Sequence, residues 1–352
     1  IMVCRGGGIW FSKTGISPYH QVTEQRVYPP VDGRFEDPLI WRTNIQYHMI
    51  VNDWLGRIAY YLRSKDGVNW KIDPGEAYMP GIARYTDGTQ VDWFKYERIK
   101  VLQDKYGRAT QAHFAVIDTI KWNDLKNDHH SSKHICIPLS VGRLISLEDS
   151  TKIDDSTKLI RLRIKAEEGF NPHQDVDISS LRFGAPEKVN FGNGCKVKSS
   201  SKSGKDLIIT FEGAGNGLNE ENFSAKLVGK TTEGNLLFGY TRLPWIEYLE
   251  PVLSARLPRI NKKGVNLSLN VEVHNFGQVK SQETQINIEV KTNHQWTPLA
   301  KGTIPSLDPF EKSELELPAK TKLSTGTTLE VKVTILDHPL KPTLLHGQVS
   351  VG

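Results

Sequence analysis

The sequence predicts an all-β protein, and three observations carry that reading. Short runs rich in β-branched and aromatic residues recur along the chain, with clusters of Gly, Pro, Asn and Asp between them. Apolar and polar residues alternate with a period of two in the clearest runs, as in Leu159-Ile160-Arg161-Leu162-Arg163-Ile164. Almost nothing shows the longer period of an amphipathic helix. At 352 residues the chain is too long for one ordinary domain. Its runs fall into three blocks: β-propeller blades over residues 1–147, then β-sandwich domains over 148–248 and 249–352.

In the first block the runs are 1–5, 8–13 and 19–26, then 39–42, 47–53, 58–64 and 70–72. After a Gly- and Asp-rich loop come 97–103, 112–118 and 134–140. The second group reads as a meander of four short strands and the third as the start of another such unit, which is the repetition of a propeller. In Ser64-Lys65-Asp66-Gly67-Val68-Asn69-Trp70 the Asp-Gly pair signals a hairpin turn. Asp66 is predicted to cap that turn with its carboxylate, and Trp70 to pack on the sheet. Gly6-Gly7-Gly8 runs into the strand-like Ile9-Trp10-Phe11 and not into a helix, so it lacks the setting of a phosphate loop.

Between 141 and 160 the composition turns polar and charged, which marks a boundary. The alternating runs beyond it, with Gly192-Asn193-Gly194 and the Ser-rich tip around Ser199-Ser200-Ser201 as turns, predict a β-sandwich. Pro244 to Pro251 reads as a linker. The runs 265–273, 285–290, 315–317 and 328–336 predict a second sandwich of immunoglobulin type. Its Val273-His274-Asn275-Phe276-Gly277 resembles the Asn-x-Gly after the second strand of adhesion-like modules appended to secreted bacterial enzymes.

Composition narrows the function. Hydrophobic residues at 38% and charged residues at 24% belong to a globular protein, and a net charge of +5 spread among acidic residues gives no nucleic-acid stripe. Three cysteines, Cys4, Cys136 and Cys195, lack CxxC spacing and supply neither a disulfide framework nor a zinc signature. Cys4 and Cys136 are expected to be buried small hydrophobes. No apolar run reaches the length of a membrane helix. Ile1-Met2-Val3-Cys4 reads as the middle of a strand, so the chain is expected to begin inside a fold.

The candidate chemistry lies at two strand starts. Phe35-Glu36-Asp37-Pro38-Leu39-Ile40-Trp41 places a carboxylate pair before an apolar strand, with the aromatic-rich Tyr47-His48-Met49-Ile50 returning beside it. Tyr96-Glu97-Arg98-Ile99-Lys100-Val101 follows sixty positions after Asp37 and is expected at the same place in the next blade. Glycoside cleavage needs one carboxylic acid to protonate the leaving oxygen and a second carboxylate opposite it. Innermost strands of adjacent blades would aim Asp37 and Glu97 into one funnel. Glu36, Trp41, His48, Arg98 and His113 are the candidate sugar-binding residues around them, and Trp10, Trp54 and Trp93 offer further stacking faces or core packing. Asp53 and Asp92 are stand-ins for a third acid with nothing in their context to favour them. The loop from Asn123 to His134, with Asp128, His129 and His130, concentrates histidines without regular ligand spacing.

On the Glu36-Asp37-Pro38 motif, the 64–70 turn and Glu97-Arg98, residues 1–145 resemble the five-bladed β-propeller glycoside hydrolases of the arabinanase and xylosidase group and the related invertase-like families. The resemblance implies Glu97 as general acid and Asp37 as the residue that tunes its pKa. It also implies a plant or algal polysaccharide or oligosaccharide as partner and a secreted or periplasmic location. No cofactor is implied; a structural calcium ion is left open. The family's base, an Asp of the first blade, has no counterpart in this chain. The alternative is a non-catalytic carbohydrate-binding or cell-surface adhesion protein on the same scaffold.

Overall fold

The computed structural model describes residues 1–23, 25–123, 130–263, 266–320, 326–337 and 343–351. Within the histidine-rich stretch, Asp128 and His129 lie outside the described residues, as does Val265 at the head of the expected strand 265–273. The fold is all-β, and among the described residues the α-helices are two four-residue segments, α1 (Pro172–Asp175) and α2 (Pro186–Val189). Contacts divide the chain into two compact units, one of Ile1–Val27 with Tyr248–Gly352 and one of Tyr28–Glu247. Among the described residues no helix is long and apolar enough to cross a membrane.

Strands β1 (Met2–Val3), β2 (Ile9–Phe11) and β3 (His20–Thr23) form a small antiparallel sheet in the first unit. The second unit opens with the expected four-stranded meander: β4 (Phe35–Arg42), β5 (Tyr47–Asp53), β6 (Ile58–Ser64) and β7 (Lys71–Tyr78) pair in order. A two-stranded ribbon, β8 (Gly81–Arg84) and β9 (Gln90–Trp93), leads to a second meander. That one joins β10 (Lys95–Gln103), β11 (Ala109–Ile117) and β12 (Ser132–Pro138). Local chemistry sets these turns. Asp66 Oδ1 accepts from the backbone amides of Val68 and Asn69, each at 2.8 Å, while Gly67 takes a φ of 82°. Trp70 closes the same turn by donating from Nε1 to the Gly67 carbonyl, 3.0 Å.

Two stacked sheets are expected over 148–248. The strands there join instead into one seven-stranded antiparallel sheet. It comprises β13 (Ile145–Leu147), β14 (Leu159–Ile164), β15 (Val176–Gly184), β16 (Cys195–Ser203), β17 (Asp206–Glu212), β18 (Ser224–Thr231) and β19 (Leu236–Arg242), in the order β13-β14-β17-β16-β15-β18-β19. The sheet curls until its two ends meet, the Arg143 amide donating to the Phe238 carbonyl at 2.6 Å. Gly239 makes that approach available, because a Cβ there would sit 2.6 Å from the Arg143 carbonyl oxygen. Inward residues of alternate positions fill the interior, among them Ile160, Leu162, Ile164, Phe183, Ile209 and Phe211, all nearly inaccessible. Each such side chain contributes about 1.5–3 kcal/mol by leaving water.

In the other unit, β20 (Leu253–Ala255), β21 (Arg259–Lys263), β22 (Asn266–Asn275) and β25 (Lys312–Pro318) make one sheet, with β22 pairing the other three. The second sheet is β24 (Gln295–Ile304), β23 (Thr284–Thr292), β26 (Thr328–Ile335) and β27 (Thr343–Ser350). Val271 and Val273 on one sheet meet Ile286, Ile288, Val290, Val331 and Val333 on the other in a dry core, the sandwich that their alternation implies.

Asn275 is fully buried at the end of β22. Its Oδ1 accepts from the amides of Gly277 (2.9 Å) and Val252 (3.1 Å), and its Nδ2 donates to the carbonyls of Val279 (2.8 Å) and Leu307 (3.0 Å). One side chain thus satisfies four backbone groups from three loops.

The cysteines depart from expectation. Cys4 and Cys136 are exposed and only Cys195 is buried; none of the three is in a disulfide. Cys136 alternates onto the outer face of an edge strand while Ile135 beside it points into the core, so an apolar run alone does not assign the face.

Asn275→Ala should cost the sandwich about 3 kcal/mol, since it removes four hydrogen bonds at once, two of them buried and two part-buried. Urea unfolding of the parent and the variant followed by far-UV circular dichroism measures it; a loss below about 1 kcal/mol would mean water replaces the amide.

Candidate functional site

The two strand starts singled out above carry the same backbone irregularity. In β4 the pairing with β5 jumps from Glu36↔Asn52 to Leu39↔Ile50, so Asp37 and Pro38 oppose one residue. In β10 the pairing with β11 jumps from Glu97↔Ala115 to Lys100↔His113, so Arg98 and Ile99 oppose one residue. The first bulged residue is left-handed in both, with φ of 49° at Asp37 and 54° at Arg98. That conformation normally belongs to Gly and costs a side-chain-bearing residue about 1–2 kcal/mol. The repeat therefore matches Phe35 to Tyr96, Glu36 to Glu97 and Asp37 to Arg98. Glu97 stands one residue away from the counterpart of Asp37, a register that spacing alone does not resolve.

The bulges nevertheless bring the acids into one neighbourhood. Arg98 Nε lies 4.0 Å from Asp37 Oδ2, and Glu97 pairs with Lys95, whose ammonium lies 5.5 Å from the centroid of the Trp54 ring. Tyr78, at the end of β7, feels both carboxylates: burial first, then the charges of Asp37 and Glu97, push its phenol above the ordinary range. Its hydroxyl is buried and has no hydrogen-bond partner among the described residues. Asp53 has a structural task, Oδ1 accepting from the amides of Arg34 (2.9 Å) and Leu55 (3.2 Å). Trp93 is core, donating from Nε1 to the Tyr85 hydroxyl at 3.1 Å.

Tyr78 also lines a cleft of about 1760 Å³ within the Tyr28–Glu247 unit, walled by β4–β7, β10–β12 and the seven-stranded sheet. Trp41, Tyr61, Tyr106, Phe114, Phe191, Phe238 and Tyr240 give it an aromatic lining, with Asp73, Glu167, Lys226 and Asn190 as polar groups. Gly107 holds the Tyr106 turn against β4: its φ is 78°, and a Cβ there would overlap the Arg42 carbonyl at 2.1 Å. Of the predicted sugar-binding residues, Trp41 and His48 line this cleft; Glu36, Arg98 and His113 do not, nor do Asp37 and Glu97.

His48 is the most constrained of them. Its ring is stacked between Trp41 (centroids 4.8 Å, 11°) and Tyr61 (5.9 Å, 23°), with Tyr240 edge-on at 6.1 Å. Nδ1 pairs with the Tyr61 hydroxyl at 2.6 Å and Nε2 with Thr43 Oγ1 at 3.2 Å. Burial, then the charges of Arg63 and Lys226, lower its pKa to about 3, so the imidazole is neutral under ordinary conditions.

Behind the stack lies a buried polar network that sequence reasoning missed. Arg63, 1% exposed, donates from Nε to Asp73 Oδ1 (2.7 Å) and from Nη1 to Ser224 Oγ (3.0 Å). Its guanidinium also lies 5.5 Å from the ring centroid of Phe223 and 5.7 Å from that of Tyr240. Ser224 donates onward to Gln46 Oε1 at 2.7 Å. The available signal was a charge inside the strand-like Tyr60-Tyr61-Leu62-Arg63-Ser64, which demands a buried partner. His113 sits elsewhere, on the outer face of β11 beside His134.

Neither a family model nor a curated protein matches the sequence. Among solved structures, the β-glucosidase DesR of Streptomyces venezuelae in complex with D-glucose is 13% identical over 29% of this chain and 15% of its own, with a TM-score of 0.22. The SGBP-B protein of the mixed-linkage glucan utilization locus of Bacteroides ovatus, in complex with a mixed-linkage heptasaccharide, is 9% identical over 90% and 71%, with a TM-score of 0.21. Dimeric latent PorU of Porphyromonas gingivalis is 12% identical over 91% and 29%, also at 0.21. This chain thus spans well under two thirds of DesR and of PorU. Scores this low carry no argument about function.

The depressed pKa of His48 makes stability fall as the pH drops from 6.5 towards 3, because the unfolded imidazole binds a proton that the folded one refuses. The expected slope from this residue is on the order of 1 kcal/mol per pH unit in that window. His48→Gln should remove about one proton from the difference between unfolding at pH 4 and pH 7. Urea titrations of both proteins across the window test it, and parallel pH profiles would contradict it.

Proposed function

We propose that the Tyr28–Glu247 unit carries a glycoside-hydrolysing site, with Glu97 as general acid, Asp37 tuning it, and the adjoining aromatic cleft holding the sugar chain. The observation that supports this best is Tyr78. Its buried, unpartnered hydroxyl lies within the field of both carboxylates, while the same side chain walls the cleft. Buried polar groups without partners are rare and ask for an explanation, and a bound sugar hydroxyl supplies one. Left-handed backbone at Asp37 and Arg98 adds to the case, since local strain collects where a side chain must be aimed. In this reading the two meanders are blades of a five-bladed propeller, and residues 148–248 and 249–352 are accessory β-domains. The substrate is a plant or algal polysaccharide or oligosaccharide, met in a secreted or periplasmic setting; Trp41 and Tyr240 offer flat faces to the apolar side of a pyranose.

A second reading, a glycan-binding protein without hydrolysis, is favoured by a different observation. Asp37 and Glu97 are off the cleft lining, and each has a cation for a neighbour.

Glu97→Gln and Asp37→Asn should each lower reducing-sugar release by about 10²–10⁴-fold with unfolding midpoints unchanged. Turnover by both variants equal to the parent would sink the hydrolytic assignment. Glycan affinity that survives both substitutions but falls in Trp41→Ala, with no sugar released by the parent, establishes the second reading.

A further inference from the structure

The charged groups lining the cleft of the Tyr28–Glu247 unit are of both signs in equal number, but they differ in what they hold. Asp73 accepts from Arg63 Nε at 2.7 Å, and Asp104 and Glu167 pair with Arg108 at 2.7 and 2.6 Å. The second oxygen of Glu167 accepts from the Leu144 amide, 3.1 Å. Arg108 is committed as well, its Nη1 also donating to the Gly142 carbonyl at 2.8 Å. Glu76, Glu168, Lys105 and Lys165 are exposed, and their charges balance. Two half-buried cations remain, Arg143 and Lys226, and neither forms an ion pair among the described residues. Arg143 stands where the curled sheet closes, its own amide on the Phe238 carbonyl. Its guanidinium lies 3.9 Å from the centroid of the Phe170 ring and makes no hydrogen bond among the described residues. Burial lowers its pKa, against the pull of Glu167, yet an arginine stays charged under ordinary conditions. Lys226 Nζ donates to Asn190 Oδ1 at 2.6 Å and lies 5.6 Å from the ring centroid of Phe238 and 5.1 Å from that of Tyr240. Two of its three N–H groups are thus without a partner among the described residues.

We propose that the glycan taken by this cleft is anionic, carrying uronate carboxylates or sulfate esters that pair with Arg143 and Lys226; this rests on the reading of the cleft as a sugar-binding site. Half-buried charge without a counter-charge is costly, and an anion on the ligand supplies the missing partner. A guanidinium stacked on an aromatic ring is held as a fixed fork, and its paired N–H groups match two oxygens of a carboxylate or a sulfate. The ammonium of Lys226 adds a point charge beside Phe238 and Tyr240, so the apolar face of a sugar ring and the acidic group it carries are read side by side. A neutral polymer meets the same two cations with hydroxyl groups alone. Discrimination then comes from the acids of the cleft being engaged while these two cations are not.

Two matched pairs of polymers test this on the full chain by titration calorimetry: polygalacturonate against its methyl ester, and a sulfated galactan against its desulfated form. In at least one pair the charged member should bind about tenfold tighter or more, and that pair names the anion. Arg143→Gln and Lys226→Gln should each erase most of the preference with affinity for the neutral member unchanged, and Lys226→Arg should keep it. A double variant, Lys202→Gln with Lys205→Gln, removes two charges from the exposed tip of the β16–β17 hairpin and should leave the preference intact, which separates a site in the cleft from attraction by net charge. Far-UV circular dichroism should be the same for every variant. Equal affinity within both pairs, with binding that still falls in Trp41→Ala, overturns the anionic proposal and leaves a neutral-glycan cleft. A preference that survives both cleft substitutions, or that the hairpin variant loses equally, overturns it too. If no polymer of either kind binds, the sugar-binding reading itself fails and the proposal falls with it.

Discussion

A single buried cation organises the Tyr28–Glu247 unit. Arg63 carries its charge at 1% exposure, and a guanidinium that far from water is tolerable only when it is paired: Nε and Nη1 are hydrogen-bonded and Nη2 has Glu187 Oε2 at 4.0 Å. Those partners come from distant parts of the chain: Asp73 from the neighbouring strand, Ser224 and Phe223 from the start of β18, Tyr240 from β19. The first meander and the seven-stranded sheet are therefore held together by the need to solvate one side chain. The cleft is the space left where they meet. The same charge helps keep His48 neutral, so the aromatic stack at the cleft wall inherits its protonation state from the interaction that holds the wall in place.

Paired bulges act on the other side of the cleft. Asp37 and Arg98 occupy equivalent positions in β4 and β10, both in the left-handed region, and their side chains approach each other across the gap between sheets. At 4.0 Å, with Arg98 largely exposed, that ion pair contributes little to stability and does not explain the strained backbone. What the bulges accomplish is aim: they turn the strand starts so that two carboxylates and Tyr78 share one environment.

Stability and candidate chemistry are arranged differently in the two units. In the sandwich of Tyr248–Gly352, Asn275 replaces a hydrogen-bonding network with one amide that serves three loops. It acts at one end of one sandwich: the motif marked a turn at Asn275-Phe276-Gly277, while the bonds to Val252 and Leu307 came only with the fold. The network around Arg63 is nonlocal, drawing partners from more than a hundred residues away.

That difference separates what the sequence by itself determined from what only tertiary structure decided. Period-two alternation determined the strands, and Asp66-Gly67 determined its turn, because each depends on contacts within a few residues. Trp41 and His48 stood in the sequence only as candidates that could equally have been core, and the packing of the sheets put both on a cleft wall. The sequence set Asp37 and Glu97 at equivalent strand starts; the one-residue offset between them was not legible, because a bulge changes register without leaving a mark in composition. The exposure of Cys136 was decided by which face of an edge strand met the core. Closure of the seven-stranded sheet rested on Gly239 meeting the Arg143 backbone from the far end of the same sheet. Arg63 showed only as a charge in an apolar strand: sequence required that it be paired, and only the packing of two sheets decided with what.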